Sequence, residues 1–88
     1  MGVRYRRGDQ VVSRQAHGNV YVLPPAHADV VVLTGTATEL WRIFSDPSTV
    51  DEAVRRLATV FDAPLDEIGQ DVSSTVAELA AHDVLAVA

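Results

Sequence analysis

Only three side chains in this sequence are of the type suited to general acid or base work near neutral pH, His17, His27 and His82. A hydrolytic nucleophile or a catalytic metal needs partners at fixed spacing, as in Gly-x-Ser-x-Gly or His-Glu-x-x-His, and neither pattern surrounds any of the three. They read as histidines of loops and surfaces beside turn residues. Cysteine is absent, which excludes disulfides, thiolate catalysis and Cys-rich zinc sites. The expectation is a chain without enzymatic activity, metal or cofactor.

The acidic pairs Asp51-Glu52 and Asp66-Glu67 fall where helices should begin, so the positive end of the helix dipole explains them without chemistry. No ligand spacing for a metal runs through them. A carrier protein would place Ser after Asp at the start of a helix to hold a phosphopantetheine arm. Here Gln70-Asp71-Val72-Ser73-Ser74 lacks that dipeptide and lies mid-helix. Met1-Gly2 opens like a myristoylation signal, but Arg6 stands where that signal wants Ser or Thr.

The net charge of −5 opposes a polyanionic partner, and every basic side chain is arginine, with Arg4, Arg6 and Arg7 clustered at the start. No apolar run approaches the roughly 18 residues of a membrane span, and no signal-type apolar stretch follows the first arginines. A cytoplasmic domain with neither membrane nor nucleic acid as partner is expected. Its 88 residues suffice for one domain, residues 1–88, because a chain this short buries only about 60 to 65% of its unfolded surface.

The elements that must position any site change character along the chain. Residues 10–16, 19–23 and 28–33 are rich in Val or Tyr and read as three strands of an antiparallel meander. Gly18-Asn19 suits the first turn, and Pro24-Pro25 ends the second strand by removing two donors. Beyond them Thr36-Ala37-Thr38-Glu39 reads as a capping box opening a helix with Ala37, Leu40, Trp41 and Phe44 on one face. Ser45-Asp46-Pro47-Ser48 breaks it. Thr49-Val50-Asp51-Glu52 repeats the box, and Val50, Ala53, Val54, Leu57, Ala58 and Phe61 form the stripe of a second helix. Pro64 starts a third, whose ridge is Leu65, Ile68, Val72, Val76 and Leu79. Residues 84–87 form a short apolar tail folded back on the helices. Three strands followed by three helices is the content of an α+β winged helix-turn-helix domain.

A winged helix-turn-helix DNA-binding transcriptional regulator is the natural alternative. Its recognition helix needs Lys or Arg for phosphates, whereas the third helix carries Asp66, Glu67, Asp71 and Glu78 with Gln70 as the lone base-reading donor. The third strand is more informative. It contains no Pro, Gly or Lys and lies at the edge of the meander, which leaves alternate N–H and C=O groups open to another strand. If Val30 and Val32 instead cover a core face and loops shield the edge, no such site exists. If the third helix stands beside the edge, strand and ridge form a groove for an extended peptide. The free edge equally admits a second copy, a homodimer.

Val31-Val32-Leu33-Thr34-Gly35-Thr36-Ala37-Thr38-Glu39-Leu40-Trp41 resembles the signature of the PqqD-like family, in which a strand ending in Leu leads through Thr or Gly and Ala to an acidic, aliphatic, Trp sequence. Thr49 to Val54 is similar to that family's second-helix opening, and Asp71 to Leu79 to its last helix. Gly35 and Asp83 depart from the pattern: an Asn often precedes the Thr or Gly, and a Gly usually closes the last helix. The resemblance implies a RiPP recognition element, a non-catalytic winged helix-turn-helix domain. Such a domain binds the leader of a ribosomally synthesised, modified peptide precursor by β-augmentation and presents the core to a leader protease or other modifying enzyme. A domain of this length is similar to the discrete leader-binding subunit of lasso-peptide clusters, the favoured reading, and also to members that serve a radical enzyme. Carried onto this chain, the resemblance implies a binding strand at Asp29, Val30, Val31, Val32 and Leu33 and a helix wall at Val72, Thr75, Val76 and Leu79.

Overall fold

The computed structural model describes residues 2–24 and 29–88; Met1, Pro25, His27 and Ala28, which entered the sequence reading, lie outside the described residues. Among the described residues nine elements follow one another: β1 (Arg4–Arg7), β2 (Val12–Ala16), β3 (Asn19–Leu23), β4 (Val31–Leu33), α1 (Thr36–Ile43), β5 (Ser48–Thr49), α2 (Val50–Phe61), α3 (Leu65–Ala81) and β6 (Leu85–Val87). The α+β class and the three helices agree with the sequence reading. The sheet content differs, because there are two three-stranded antiparallel sheets, β2-β3-β4 and β5-β1-β6.

The first sheet is the expected meander. Its hairpin turns at His17-Gly18, one residue earlier than read from the sequence, with Ala16 opposite Asn19. Both turn residues have positive φ, 54° and 82°, as the right-handed twist of a two-residue hairpin requires. The strand expected from Gln10 starts at Val12, since Gln10 itself has φ 59°. Val20 and Val22 on β3 and Leu33 on β4 point into the core.

The second sheet was not legible. Arg4-Tyr5-Arg6-Arg7 is too charged to resemble a strand, yet Tyr5 packs edge-on against Phe44, ring centroids 6.3 Å apart. The Arg7 guanidinium lies 4.2 Å from the Trp41 ring centroid, and its Nε donates to the Trp41 carbonyl at 2.8 Å. Burial pulls the pKa of Arg7 below its ordinary value. The C-terminal tail is not folded loosely on the helices: it pairs with β1 as β6, Tyr5 opposite Val87 and Arg7 opposite Leu85. Gly8 sits under the turn that leads into β6. A Cβ there would lie 2.4 Å from the Asp83 carbonyl oxygen.

Of the two capping boxes, one forms. Thr49 Oγ1 accepts from the Glu52 amide at 3.1 Å while Glu52 Oε1 accepts from the Thr49 amide at 3.0 Å. These bonds hold the Glu52 carboxyl below its usual range. The other does not: Gly35 caps α1 without a side-chain bond, and Thr38 is buried with its hydroxyl donating to the Leu33 carbonyl at 2.9 Å. Helix α3 ends in a Schellman motif, Val84 N–H to Leu79 C=O at 2.9 Å and Asp83 N–H to Ala80 C=O at 3.1 Å. Asp83, at φ 61°, occupies the left-handed position usually given to Gly.

The core is one cluster in which Leu40, Trp41 and Phe44 of the α1 region, Ala53 and Leu57 of α2, and Ile68, Val72, Val76 and Leu79 of α3 meet Val20, Val22, Leu33, Val84 and Leu85. Phe61 and Leu65, expected on the inward stripes, are exposed at the α2–α3 turn.

Candidate functional site

In the meander β4 pairs with β3 on one side, Val20 opposite Leu33, Tyr21 opposite Val32 and Val22 opposite Val31. Among the described residues no strand pairs with its other side. Side chains alternate across a strand, and here Leu33 is buried and Val31 half-buried while Val30 and Val32 are 56% and 50% exposed. Val30 and Val32 therefore do not cover the core. They extend an apolar outer face to which Val12, Tyr21 and Leu23 also belong, with a shallow depression of about 210 Å³ beside Val30.

Main-chain direction follows from the same alternation. A residue's N–H and C=O point to one side of an antiparallel ladder, and the side switches at each step. The two-residue turn makes Ala16 and Asn19 a hydrogen-bonded pair, so Asn19, Tyr21 and Leu23 turn their polar groups to β2, while Val20 and Val22 bond Leu33 and Val31 of β4. The Leu33 carbonyl accepts from Thr38 as well. The outer rim of β4 thus offers the Val32 N–H and C=O. Thr38, read from the sequence as part of a helix cap, instead fixes the end of this rim, and no pattern of residue types marks it.

The sequence-derived site residues are distributed unevenly about that rim. Val31, Val32 and Leu33 form the strand, whereas Asp29 lies in a bend and Val30 precedes the first paired residue. On α3, Val72, Val76 and Leu79 are buried in the core and Thr75 is half-buried beside them. The helix contributes the packing under the sheet, and Thr75 is its one member of the implied set that reaches solvent.

Other chemistry has little to build on. His17 is a turn residue, and Ser73 and Ser74 are exposed in the middle of α3. Among the described residues no group of three His, Cys, Asp or Glu could hold a metal ion, and no helix is long and apolar enough to cross a membrane. The arginines at the start are engaged: Arg4 reaches Glu52 and the Pro47 carbonyl, Arg6 pairs with Asp9 at 2.8 Å, and Arg7 stacks on Trp41.

The chain matches, over residues 19–85, the family described as coenzyme PQQ synthesis protein D (PqqD). It belongs to the PqqD family. That family forms the RiPP recognition element and takes part in leader-peptide recognition during peptide modification. The match begins at β3 and runs through β4 and all three helices into β6, so it includes the free rim, while β1 and β2 lie before it. No curated protein and no solved structure matches the chain.

Proposed function

We propose that this PqqD-family domain is a non-catalytic, cytoplasmic leader-binding module. It holds the leader of a ribosomally made precursor as an added strand on β4 and delivers the core to a leader protease or another modifying enzyme, of lasso-peptide type. The observation that carries the reading is the rim of β4: a short apolar edge strand, unpaired among the described residues, whose Val32 main chain faces outward while the chain's own C-terminal strand is committed to β1. An edge of this kind is usually blunted by Lys, Pro or a bulge. Here it carries valines.

A guest strand placed on it gains main-chain bonds to Val32 and side-chain contact with Val30 and Val32 on the outer face. Ordering a disordered leader costs about 2 to 5 kcal/mol, which sets the expected affinity between nanomolar and micromolar. The tether raises the effective concentration of the core at the partner enzyme and needs no catalytic group. Read as a winged helix-turn-helix, the domain would use the β2–β3 hairpin as its wing and α3 as its recognition helix. Its third helix nevertheless presents four carboxylates and no cation to solvent, which disfavours DNA.

The test uses two prolines. Val32→Pro removes an amide that no neighbouring strand uses, so the domain keeps its circular dichroism and loses its leader in calorimetric titration. Val31→Pro removes a ladder donor to Val22 and lowers the unfolding temperature. Unchanged leader binding by a folded Val32→Pro variant sinks strand addition at this rim. Light scattering on the free chain reports whether a second copy takes the guest's place, and tight binding to duplex DNA at low salt argues for a transcriptional role instead.

A further inference from the structure

A second concave surface lies away from the β4 rim, between α2 and the first half of α3. It is an open groove of about 870 Å³ with Val50, Val54, Leu65 and Gly69 as its apolar lining and Asp51 and Asp66 as its only charged side chains. Two features set it apart from an ordinary helix junction. Leu65 is 57% exposed although it continues the inward ridge of α3. Gly69 stands in the helix interior, where it is unfavourable relative to Ala, yet a Cβ there would meet nothing within 4 Å. Packing inside the domain therefore does not require a glycine, and its missing side chain flattens the groove wall instead.

We propose that this groove docks the partner enzyme through a basic amphipathic helix, whose apolar side chains lie over Val54 and Gly69 and whose Lys or Arg side chains meet Asp51 and Asp66. The occupant is chosen on charge: both ionised groups of the lining are carboxylates, the cations Arg55 and Arg56 of the same helix are not among the lining residues, and the chain carries −5 net. A helix laid into an apolar groove reads its anchors at three- and four-residue spacing, and Leu65, Gly69 and Ser73 present that spacing along one wall. The proposal rests on the reading that the domain serves a maturation enzyme. It assigns leader and enzyme to different surfaces, so both can be held at once.

The experiment uses the full isotopically labelled chain and two synthetic amphipathic helical peptides of one apolar pattern, a Leu/Lys form and a Leu/Glu form. The Leu/Lys peptide is expected to shift the amides of Val54, Gly69 and Ser73, to weaken with added salt, and to lose about fivefold in affinity on Asp51→Asn with Asp66→Asn. Gly69→Leu, which fills the groove, should abolish the shifts while leader titration remains unchanged. Equal binding of the Leu/Glu peptide, shifts centred on β4, or undiminished binding by Gly69→Leu overturns the proposal. Loss of leader binding in Val32→Pro with the groove shifts intact separates the two surfaces. If neither surface responds, the leader-binding reading fails with it.

Discussion

Thr38 gives the sharpest test of how the β4 rim is held. Its hydroxyl is buried and donates at 2.9 Å to the carbonyl of Leu33, itself 1% exposed. Thr38→Val keeps the shape and removes the donor. The Leu33 carbonyl keeps its ladder bond from Val20, so losing the Thr38 donor costs about 0.5 to 1.5 kcal/mol, while the methyl that replaces the hydroxyl returns less than about 0.8 kcal/mol of burial. A net loss of up to about 1 kcal/mol corresponds to a fall of up to roughly 4 to 8 °C in Tm for a domain of this size. Thr38→Ser keeps the bond and loses only a methyl, so it should fall less. Calorimetry measures both, and hydrogen exchange should show lost protection at Leu33 in the valine variant alone. Leader affinity should drop with it, because strand order lost from the free protein must be restored on binding. A valine variant as stable as the parent, or less affected than the serine variant, refutes the assignment of Thr38 as the anchor of the rim.

Other positions test the rest of the frame. Gly8→Ala drives a Cβ against the Asp83 carbonyl and should break the 2.8 Å bond from the Gly8 amide to Val84, lowering stability by about 2 to 3 kcal/mol in urea unfolding. Arg7→Lys loses both the Nε bond and the stacking on Trp41, so a loss of about 1 to 2 kcal/mol and a shifted Trp41 fluorescence are expected. Glu52 is held below its ordinary pKa in the folded state, so its contribution is present at neutral pH and is lost as pH falls through the folded value, below the usual carboxylate range. Glu52→Gln should remove that part of the acid dependence in thermal melts between neutral and strongly acidic pH. His17→Asn places the residue best suited to positive φ at the hairpin turn and should raise stability by about 0.5 kcal/mol.

Much of this architecture was written in local patterns. The Thr49–Glu52 box and the ridge from Ile68 to Leu79 are short-range signals, because each depends on residues one helical turn apart. The meander was equally plain from its valines. What escaped depended on long-range contact. Arg7 reads as a solvated charge until Trp41 lies beneath it, and Leu85 to Val87 cannot be told from a loose tail until β1 is beside it. Thr36 fitted a cap by spacing as well as Thr49 does, yet Thr36 is already the first helical residue and Gly35 is the cap, while Thr38 in the first turn donates to the Leu33 carbonyl. At the rim, the edge strand itself was legible. Its direction was not, because a shift of one residue exchanges inner and outer faces. The helix wall implied for α3 proved to consist mostly of core residues, since the same ridge that could face a groove also fills the space under a sheet.

The pairing of first and last strands puts the Ala88 amide 2.9 Å from the Arg4 carbonyl. Residues far apart in the chain are thus neighbours in space, and a short loop could join them and let the polypeptide be reopened elsewhere with its topology preserved. A fusion partner inserted beside β1 or beside β6 would be leashed to the same corner of the domain.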